Sequence, residues 1–262
     1  MKIIVCIKQV PATSKVELDP DDGTLRRQDI ERKTNANDLF AIETALRLRE
    51  AAGGSVTAVT MGPPQAEEAL RDALTMGVDE CVLLCDKRFA GADVLATGYT
   101  LSQGIRLLGG FDLILCGKQT TDGDTSQVGP ALAEHLNIPH VAWAHSLTPI
   151  PGGLRVTHDL STITQVSEMA LPCLITVAPN LCVPRLPSYR LHKAIEGRPV
   201  RLVTHSDLPD KSLTRYGIKG SPTTVVRTFP PEIAGTRQIL CGDKAAALYD
   251  ILMEKKFISG GN

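Results

Sequence analysis

Short apolar runs alternate along the first half of the chain with segments whose apolar residues recur at helical spacing. The runs lie at 2–7, 55–61, 80–85, 113–116 and 139–144, and the helical segments lie at 35–49, 65–76, 94–108 and around Val128, Leu132 and Leu136. Unbroken apolar runs of this length are typical of strands buried on both faces of a parallel sheet. Asn37 or Asp38 is the predicted N-cap of the helix at 35–49. Strands that alternate with helices form βαβ units, so the pattern predicts an α/β fold, a Rossmann-like parallel sheet with flanking helices.

Two other parts of the chain depart from this alternation. Residues 12–34 are polar and rich in Asp and Arg, which predicts a loop or a short hairpin. Segments 154–157 and 161–166 alternate apolar and polar positions, which predicts a hairpin that extends the sheet with antiparallel strands. The run at 172–177 predicts one more buried strand.

The last third of the chain has few apolar periods. Eight prolines occur from residue 179 onward, and the next amphipathic helix is at 244–255. A segment that cannot bury a core of its own must pack on something else. We therefore expect a nucleotide-binding domain at 1–204 and a C-terminal arm at 205–262 that packs on a partner subunit.

Composition narrows the classes of partner. The net charge of −1 gives no electrostatic basis for binding nucleic acid or an anionic membrane surface. No apolar stretch reaches 18 residues, and Met1-Lys2 leads directly into the first strand, so we expect a cytoplasmic protein without membrane insertion. The seven cysteines form no CxxC pair, and Cys6, Cys81, Cys116 and Cys173 are predicted to be small core residues.

The stretch FDLILCGKQTTDGDTSQVGP, 111–130, carries the strongest local signal. It predicts a buried strand, a polar loop and then a helix, with Asp124, Thr125 or Ser126 as the N-cap. Gly123 allows close backbone approach or a positive φ. A helix N-terminus behind such a loop favours an anionic ligand, although strand-to-helix turns of this kind also occur without one.

No catalytic or metal-binding set accompanies this loop in the sequence. Asp122, Asp124 and Ser126 mimic the start of a calcium loop, but Gln127 and Ala133 stand where glycine and glutamate are needed. None of the six histidines has metal-ligand spacing to another His or Cys, and His192 is predicted to lie in a loop. The pattern suits a protein that holds a cofactor and positions it.

The loop GKQTTDGDTSQVGP resembles the nucleotide-binding loop of the β subunit of electron-transfer flavoproteins. VCIKQVP, NANDLFAIETALRLRE, AVTMGP and PRLPSYRLHKA resemble four further landmarks of that family, in the family's order, over residues 1 to about 200. The resemblance implies a fold of the adenine-nucleotide-binding type. It also implies nucleotide contacts at Cys6, Asn35, Ala36, Asn37, Asp38, Met61, Thr120, Thr121, Asp122, Gly123, Asp124, Thr125, Ser126, Gln127, Val128, Gly129 and Pro130.

The resemblance further implies a heterodimer with an α subunit that carries a mobile FAD. Most β subunits of the family hold AMP, whereas a bifurcating branch holds a second FAD that takes a hydride from NADH. That branch sends electrons to ferredoxin or flavodoxin as the low-potential acceptor and to a partner such as an acyl-CoA dehydrogenase. The sequence DGDT at 122–125 resembles the loop of the bifurcating branch, because the AMP-holding branch tends to have an acidic residue where Gly123 stands.

The segment 183–194 resembles the family's partner-recognition loop, with Tyr189 near the family's apolar anchor. Two departures concern partner identity: only Lys193 remains of a lysine cluster, and STITQVSE at 161–168 replaces a glycine-containing turn. Three functions stay open at this point. They are a bifurcating β subunit that oxidises NADH only as part of a complex, an AMP-holding β subunit, and a stand-alone adenine-nucleotide-binding regulatory module.

Overall fold

The computed structural model describes residues 1–12, 31–160, 162–226 and 239–258. Its strands are β1 (Lys2–Cys6), β2 (Gln9–Pro11), β3 (Arg32–Thr34), β4 (Ser55–Met61), β5 (Glu80–Leu84), β6 (Leu113–Gly117), β7 (His140–Ile150), β8 (Gly153–Leu160), β9 (Ile163–Ala170), β10 (Cys173–Val177) and β11 (Arg201–Val203). The α-helices are α1 (Ala36–Ala52), α2 (Glu67–Met76), α3 (Val94–Leu108), α4 (Val128–Leu136), α5 (Tyr189–Ala194) and α6 (Lys244–Glu254). None of these helices is both long and apolar enough to cross a bilayer.

Nine strands form one mixed sheet in the order β11-β5-β4-β1-β6-β10-β7-β8-β9. Every pair from β11 to β7 is parallel, and β8 and β9 are antiparallel additions at the β7 side. The predicted α/β fold and the predicted hairpin are both confirmed. β2 and β3 pair as the arms of a separate two-stranded sheet, and the rest of the predicted loop or hairpin, 13–30, lies outside the described residues.

Alternate residues of the central strands face opposite layers of helices. Ile3 and Val5 of β1 lie in one apolar cluster with side chains of α1 and α2. Ile4 and Cys6 of the same strand lie in a second cluster with side chains of α3 and α4. Burial on both faces explains why the sequence shows unbroken apolar runs here, and Cys6, Cys81, Cys116 and Cys173 are core residues as predicted.

The chain divides into two compact units at 224/225. In the first unit, residues beyond 204 still contribute to the core, since the Tyr216 ring is buried 5.7 Å from Phe89 and 5.3 Å from Tyr99 between centroids. In the second unit, every residue of α6 is at least partly exposed, with Leu248 at 49%. An apolar stripe left open on a helix is typical of a segment that packs on another chain, and the contact of the arm with a partner subunit stays a prediction.

Gly129 gives a direct test of the packing between α4 and β10. A Cβ at this position would lie well inside 3.0 Å of the Thr176 methyl group, on a strand whose residue 176 is 1% exposed. We expect Gly129→Ala to lower the free energy of unfolding by about 1–3 kcal/mol, because extra volume in a filled core forces strain. Gly110→Ala is the matched control, since its Cβ would have no neighbour within 4 Å. Equal melting temperatures for the two variants would contradict this packing.

Candidate functional site

The strand order reverses at β1. From β1 the chain crosses through α1 to β4 on one side, and β6 pairs with β1 on the other side. In open α/β sheets, ligands bind outside the carboxyl ends of the strands at such a reversal. The crevice between the ends of β1 and β6 is therefore the candidate site, and Cys6, Met61 and Gly117 mark its edge.

Two asparagine side chains at the start of α1 hold the loop that follows β6. Asn35 Nδ2 and Asn37 Nδ2 both donate to the Gln119 carbonyl, at 2.9 and 2.8 Å. The Asn35 Oδ1 atom accepts from the Thr121 backbone N–H at 3.2 Å, and the Asn35 N–H donates to the Lys8 carbonyl at 2.9 Å. Fully buried Asn35 thus joins the ends of β1, β6 and α1 into one structure.

These contacts correct the predicted cap of α1. The N-cap is Asn35 and no side chain caps the helix, so the prediction of Asn37 or Asp38 is wrong. The Asn37 side-chain amide donates to the Gln119 carbonyl, and the Asp38 carboxyl accepts from the Lys8 N–H at 2.8 Å. Residues distant in the sequence therefore bind the two side chains that local propensity assigns to the N-cap of the helix.

The predicted cap of α4 is also wrong, because a nearby residue of the same loop binds the candidate side chains. The N-cap is Gln127, without a side-chain cap bond. Asp124 accepts instead from the Gln119 amide, and Ser126 Oγ donates to Gln119 Oε1 at 2.8 Å. The Val128 and Gly129 N–H groups at the start of α4 therefore have no side-chain cap among the described residues, and Pro130 has no N–H. Together with the helix dipole these two donors favour an anionic ligand.

The backbone of the loop turns at residues other than Gly123. Positive φ values occur at Asp124, 51°, and at Ser126, 58°, whereas Gly123 has no positive φ. Of the two roles predicted for Gly123, the positive φ is therefore not observed, and close backbone approach to a ligand stays a prediction. A Cβ there would meet only Thr120 Oγ1, at 3.6 Å, so the position tolerates a side chain. Left-handed residues within a turn point successive N–H groups to one side, which is a common geometry for binding phosphate.

One of the two loop carboxylates, Asp122, is paired with a cation. Lys8 Nζ lies 2.6 Å from Asp122 Oδ2, and the Gly123 N–H donates to Asp122 Oδ1 at 2.8 Å. Partial burial raises the pKa of Asp122, but hydrogen bonds from Lys8 and Thr120 outweigh it and hold the pKa below its usual value. A phosphate near this loop would thus face ion-paired Asp122 and amide-bonded Asp124.

Asp38 supports the crevice from beneath. It is 4% exposed and accepts from the Lys8 backbone N–H at 2.8 Å. Burial raises its pKa to about 7, against the opposing effect of hydrogen bonding and of the nearby Lys8 charge. A Cβ on Gly117 would lie within 3.0 Å of Asp38 Oδ1, so only glycine fits at this strand end.

The residues predicted to bind a nucleotide all lie at this edge of the sheet, on β1, the start of α1, the end of β4, the loop after β6 and the start of α4. Their contact with a nucleotide stays a prediction. Tyr189 stands apart from them as the first residue of α5, 76% exposed. Two residues at the edge were missed, Lys8 and Gln119. The dipeptide Lys-Gln follows both β1 and β6, and this repeat was the signal available in the sequence.

Comparison with known proteins places the chain among related sequences. The family model described as "Electron transfer flavoprotein domain" matches residues 22–207. The chain is 42% identical over 254 residues to an electron transfer flavoprotein subunit beta of Thermoanaerobacterium thermosaccharolyticum, covering 96% of each. It is 40% identical over 261 residues to the subunit of the same name of Clostridium acetobutylicum, covering 98% of this chain and 100% of the relative. It is 38% identical over 263 residues to the caffeyl-CoA reductase-Etf complex subunit CarD of Acetobacterium woodii, again covering 98% and 100%.

The buried carboxyl of Asp38 predicts a pH dependence of stability. The folded state keeps its proton up to about pH 7, while an unfolded aspartate releases it near 3.8. The contribution of Asp38 is therefore fully present below pH 3.8 and is lost as pH rises to about 7, by about 4 kcal/mol in all. We expect the wild type to lose stability relative to Asp38→Asn over this interval, as measured by unfolding at several pH values.

Asp112→Asn serves as the control for this measurement, because Asp112 accepts a backbone bond from Lys2 at 2.7 Å in an exposed setting. Stability curves for the wild type and Asp38→Asn that run parallel between pH 4 and 7 would show that Asp38 is ionised throughout.

Proposed function

Because the chain belongs to the electron transfer flavoprotein family, among its β subunits, we propose that it is the β subunit of a heterodimer that holds FAD in the crevice between β1 and β6. The observation that carries this proposal is the set of N–H groups at the start of α4 without a side-chain cap, behind a loop with two left-handed residues. A nucleotide phosphate suits such a group of donors. The Asn35 and Asn37 amides fix the loop that presents them.

The absence of a side chain at position 123 favours FAD over AMP. FAD adds a second phosphate and a ribityl chain to the groups that the loop must accept. Gly123 lies between two aspartates, and a Cβ built there would lie 3.6 Å from Thr120 Oγ1, its one neighbour within 4 Å among the described residues. The position therefore has room for part of a bound cofactor. A carboxylate there would be a third acidic group in three consecutive residues. The runner-up is a β subunit that holds AMP, for which this room is not needed.

We propose the electron donor and the electron acceptors from the same resemblance to the bifurcating branch of the family. A flavin at this site would supply hydride and single-electron chemistry, with NADH as the donor. The proposed acceptors are ferredoxin or flavodoxin and, through the FAD of an α subunit, an acyl-CoA dehydrogenase or another flavin dehydrogenase. The relative named a caffeyl-CoA reductase-Etf complex subunit supports a partner that acts on CoA thioesters.

A stand-alone regulatory module is the alternative of another class. Such a module would also hold a nucleotide between β1 and β6. It would not explain why the apolar residues of α6 are partly exposed. We therefore prefer a chain that functions beside an α subunit in the cytoplasm.

Gly123→Asp tests the proposal at its most specific point. The new carboxylate adds a like charge beside the phosphates, which costs on the order of 4 kcal/mol at about 4 Å and an effective dielectric near 20. We expect FAD affinity at the β site to fall by about a thousandfold. The purified heterodimer then loses one of two flavins and its reduction by NADH, while the α-subunit flavin stays.

Gly123→Asn is the matched control, since it has nearly the same shape without the charge. A Cβ at position 123 would be in ordinary van der Waals contact with Thr120 Oγ1, at 3.6 Å, so neither variant strains the loop. Flavin content that is the same in Gly123→Asp and in the wild type would remove this loop from the FAD site.

Tyr189→Ala tests partner docking separately. Tyr189 is 76% exposed at the start of a short helix, and a docking aromatic typically costs about 2 kcal/mol or more when truncated. We expect an affinity loss of roughly thirtyfold for the dehydrogenase, with unchanged nucleotide content. Titration of the heterodimer with the dehydrogenase measures it, and an unaltered half-saturation point would show that Tyr189 is not the anchor.

A further inference from the structure

Lys118 is the one basic residue of the loop between β6 and α4. Residues 118–127 contain this lysine and two aspartates, Asp122 and Asp124. Lys8, which follows β1, is already paired with Asp122 at 2.6 Å. A nucleotide phosphate at the start of α4 would therefore find two N–H donors there but no cation, unless Lys118 supplies the positive charge.

The Lys118 ammonium lies over an aromatic ring. Its Nζ atom is 4.5 Å from the centroid of the Trp143 ring, which is 42% exposed. None of the ion pairs found among the described residues includes Lys118. A cation over a partly exposed ring is held more weakly than a cation that is hydrogen-bonded to a phosphate. The ammonium can therefore exchange the ring for a phosphate group.

Trp143 lies in an irregular part of β7. Residues 141 and 144 of β7 pair with residues 175 and 177 of β10, so β7 has one extra residue at this point. The φ of Trp143 is 61°, in the left-handed region that bulky side chains rarely adopt. A bulge redirects a side chain out of the regular alternation of a strand, and such strained positions are concentrated at functional sites.

This bulge lies beside the start of α4. The Trp143 N–H donates to Thr176 Oγ1 at 2.9 Å. The methyl group of the same threonine lies where a Cβ on Gly129 would need to be, and the Gly129 N–H is one of the two donors without a side-chain cap. A single residue, Thr176, thus separates Trp143 from the proposed phosphate position. Lys118 directly follows β6, the strand that pairs with the strand of Thr176.

We propose that Lys118 binds the phosphate of the nucleotide at the start of α4, and that Trp143 is the positioning residue that holds the Lys118 ammonium there before the nucleotide binds. The inference rests on the proposed function for the location of the site. It does not depend on the choice of cofactor, because FAD and AMP both carry phosphate. A lysine that is already ordered by the ring loses less conformational entropy when the phosphate binds.

Lys118→Gln in the complete heterodimer tests phosphate binding, with AMP and adenosine as probes that differ only by the phosphate. We expect the Kd for AMP at the emptied β site to rise by roughly tenfold, because a hydrogen bond between two charged groups is lost. The Kd for adenosine should stay unchanged. Titration calorimetry measures both values, and an unchanged Kd for AMP, or an equal rise for both probes, would overturn the proposal.

Two further variants control for charge and for position. Lys118→Arg keeps the positive charge and should keep most of the affinity for AMP. Lys193→Gln is the matched control, because Lys193 also lies over an aromatic ring, Tyr189 at 6.0 Å, but on α5. We expect no change in its Kd for AMP. A tenfold loss in Lys118→Arg or in Lys193→Gln would contradict a specific contact between the Lys118 charge and the phosphate.

Trp143→Phe and Trp143→Leu separate the positioning role from simple packing. Phenylalanine keeps an aromatic face for the ammonium, whereas leucine does not. We expect the Kd for AMP to rise by roughly threefold in Trp143→Leu and to stay near the wild-type value in Trp143→Phe, with adenosine unaffected in both. Equal losses in the two variants, or no loss in Trp143→Leu, would refute the positioning role.

These results are separable from the identity of the cofactor. One FAD and one AMP in the wild-type heterodimer would refute the FAD proposal alone. Equal AMP affinities in the wild type and in Lys118→Gln would refute the role of Lys118 alone.

Discussion

The pairing of β1 with β4 on one side and β6 on the other is the constraint on which the rest of the structure depends. It places the reversal of strand order between β1 and β6, so the two strands end beside each other, where open α/β sheets bind their ligands. Because both strands are buried on both faces, a shift in register would carry apolar side chains into that crevice. The core therefore sets the position of the site.

Helix α1 carries this constraint outward. Its first turn holds the loop after β6 through the amides of Asn35 and Asn37. Further along, Glu43 and Glu50 lie about 10 Å apart along the axis, at 1.5 Å per residue, and both bind Arg185. One helix thus supports the proposed nucleotide site at its start and, along its length, the segment 183–189 that ends at Tyr189.

The sequence was a sound guide where a residue's role depends on its neighbours in the chain. Apolar runs identified the strands of the central sheet because those strands are buried on both faces, and the alternation at 154–166 identified the β8–β9 hairpin. The cluster of predicted nucleotide contacts also lies at one edge, since the carboxyl ends of parallel strands meet there.

Prediction failed where a side chain binds a partner that local capping propensity does not anticipate. Asp124 and Ser126 are good N-cap residues, but Gln119 takes both side chains, and the left-handed conformations fall on them rather than on Gly123. The attachment of Arg185 to Glu43 spans 142 positions, and no local pattern announces it. His192, expected in a loop, lies in α5, a helix whose cap is Ser188.

The most direct test of the account is the identity of the nucleotides released from the wild-type heterodimer. Heat denaturation followed by chromatography gives the amounts of FAD and AMP per complex. The account predicts two FAD and no AMP, because the crevice at Gly123 accepts the larger cofactor. One FAD and one AMP per heterodimer would contradict it and assign the chain to the AMP-holding β subunits.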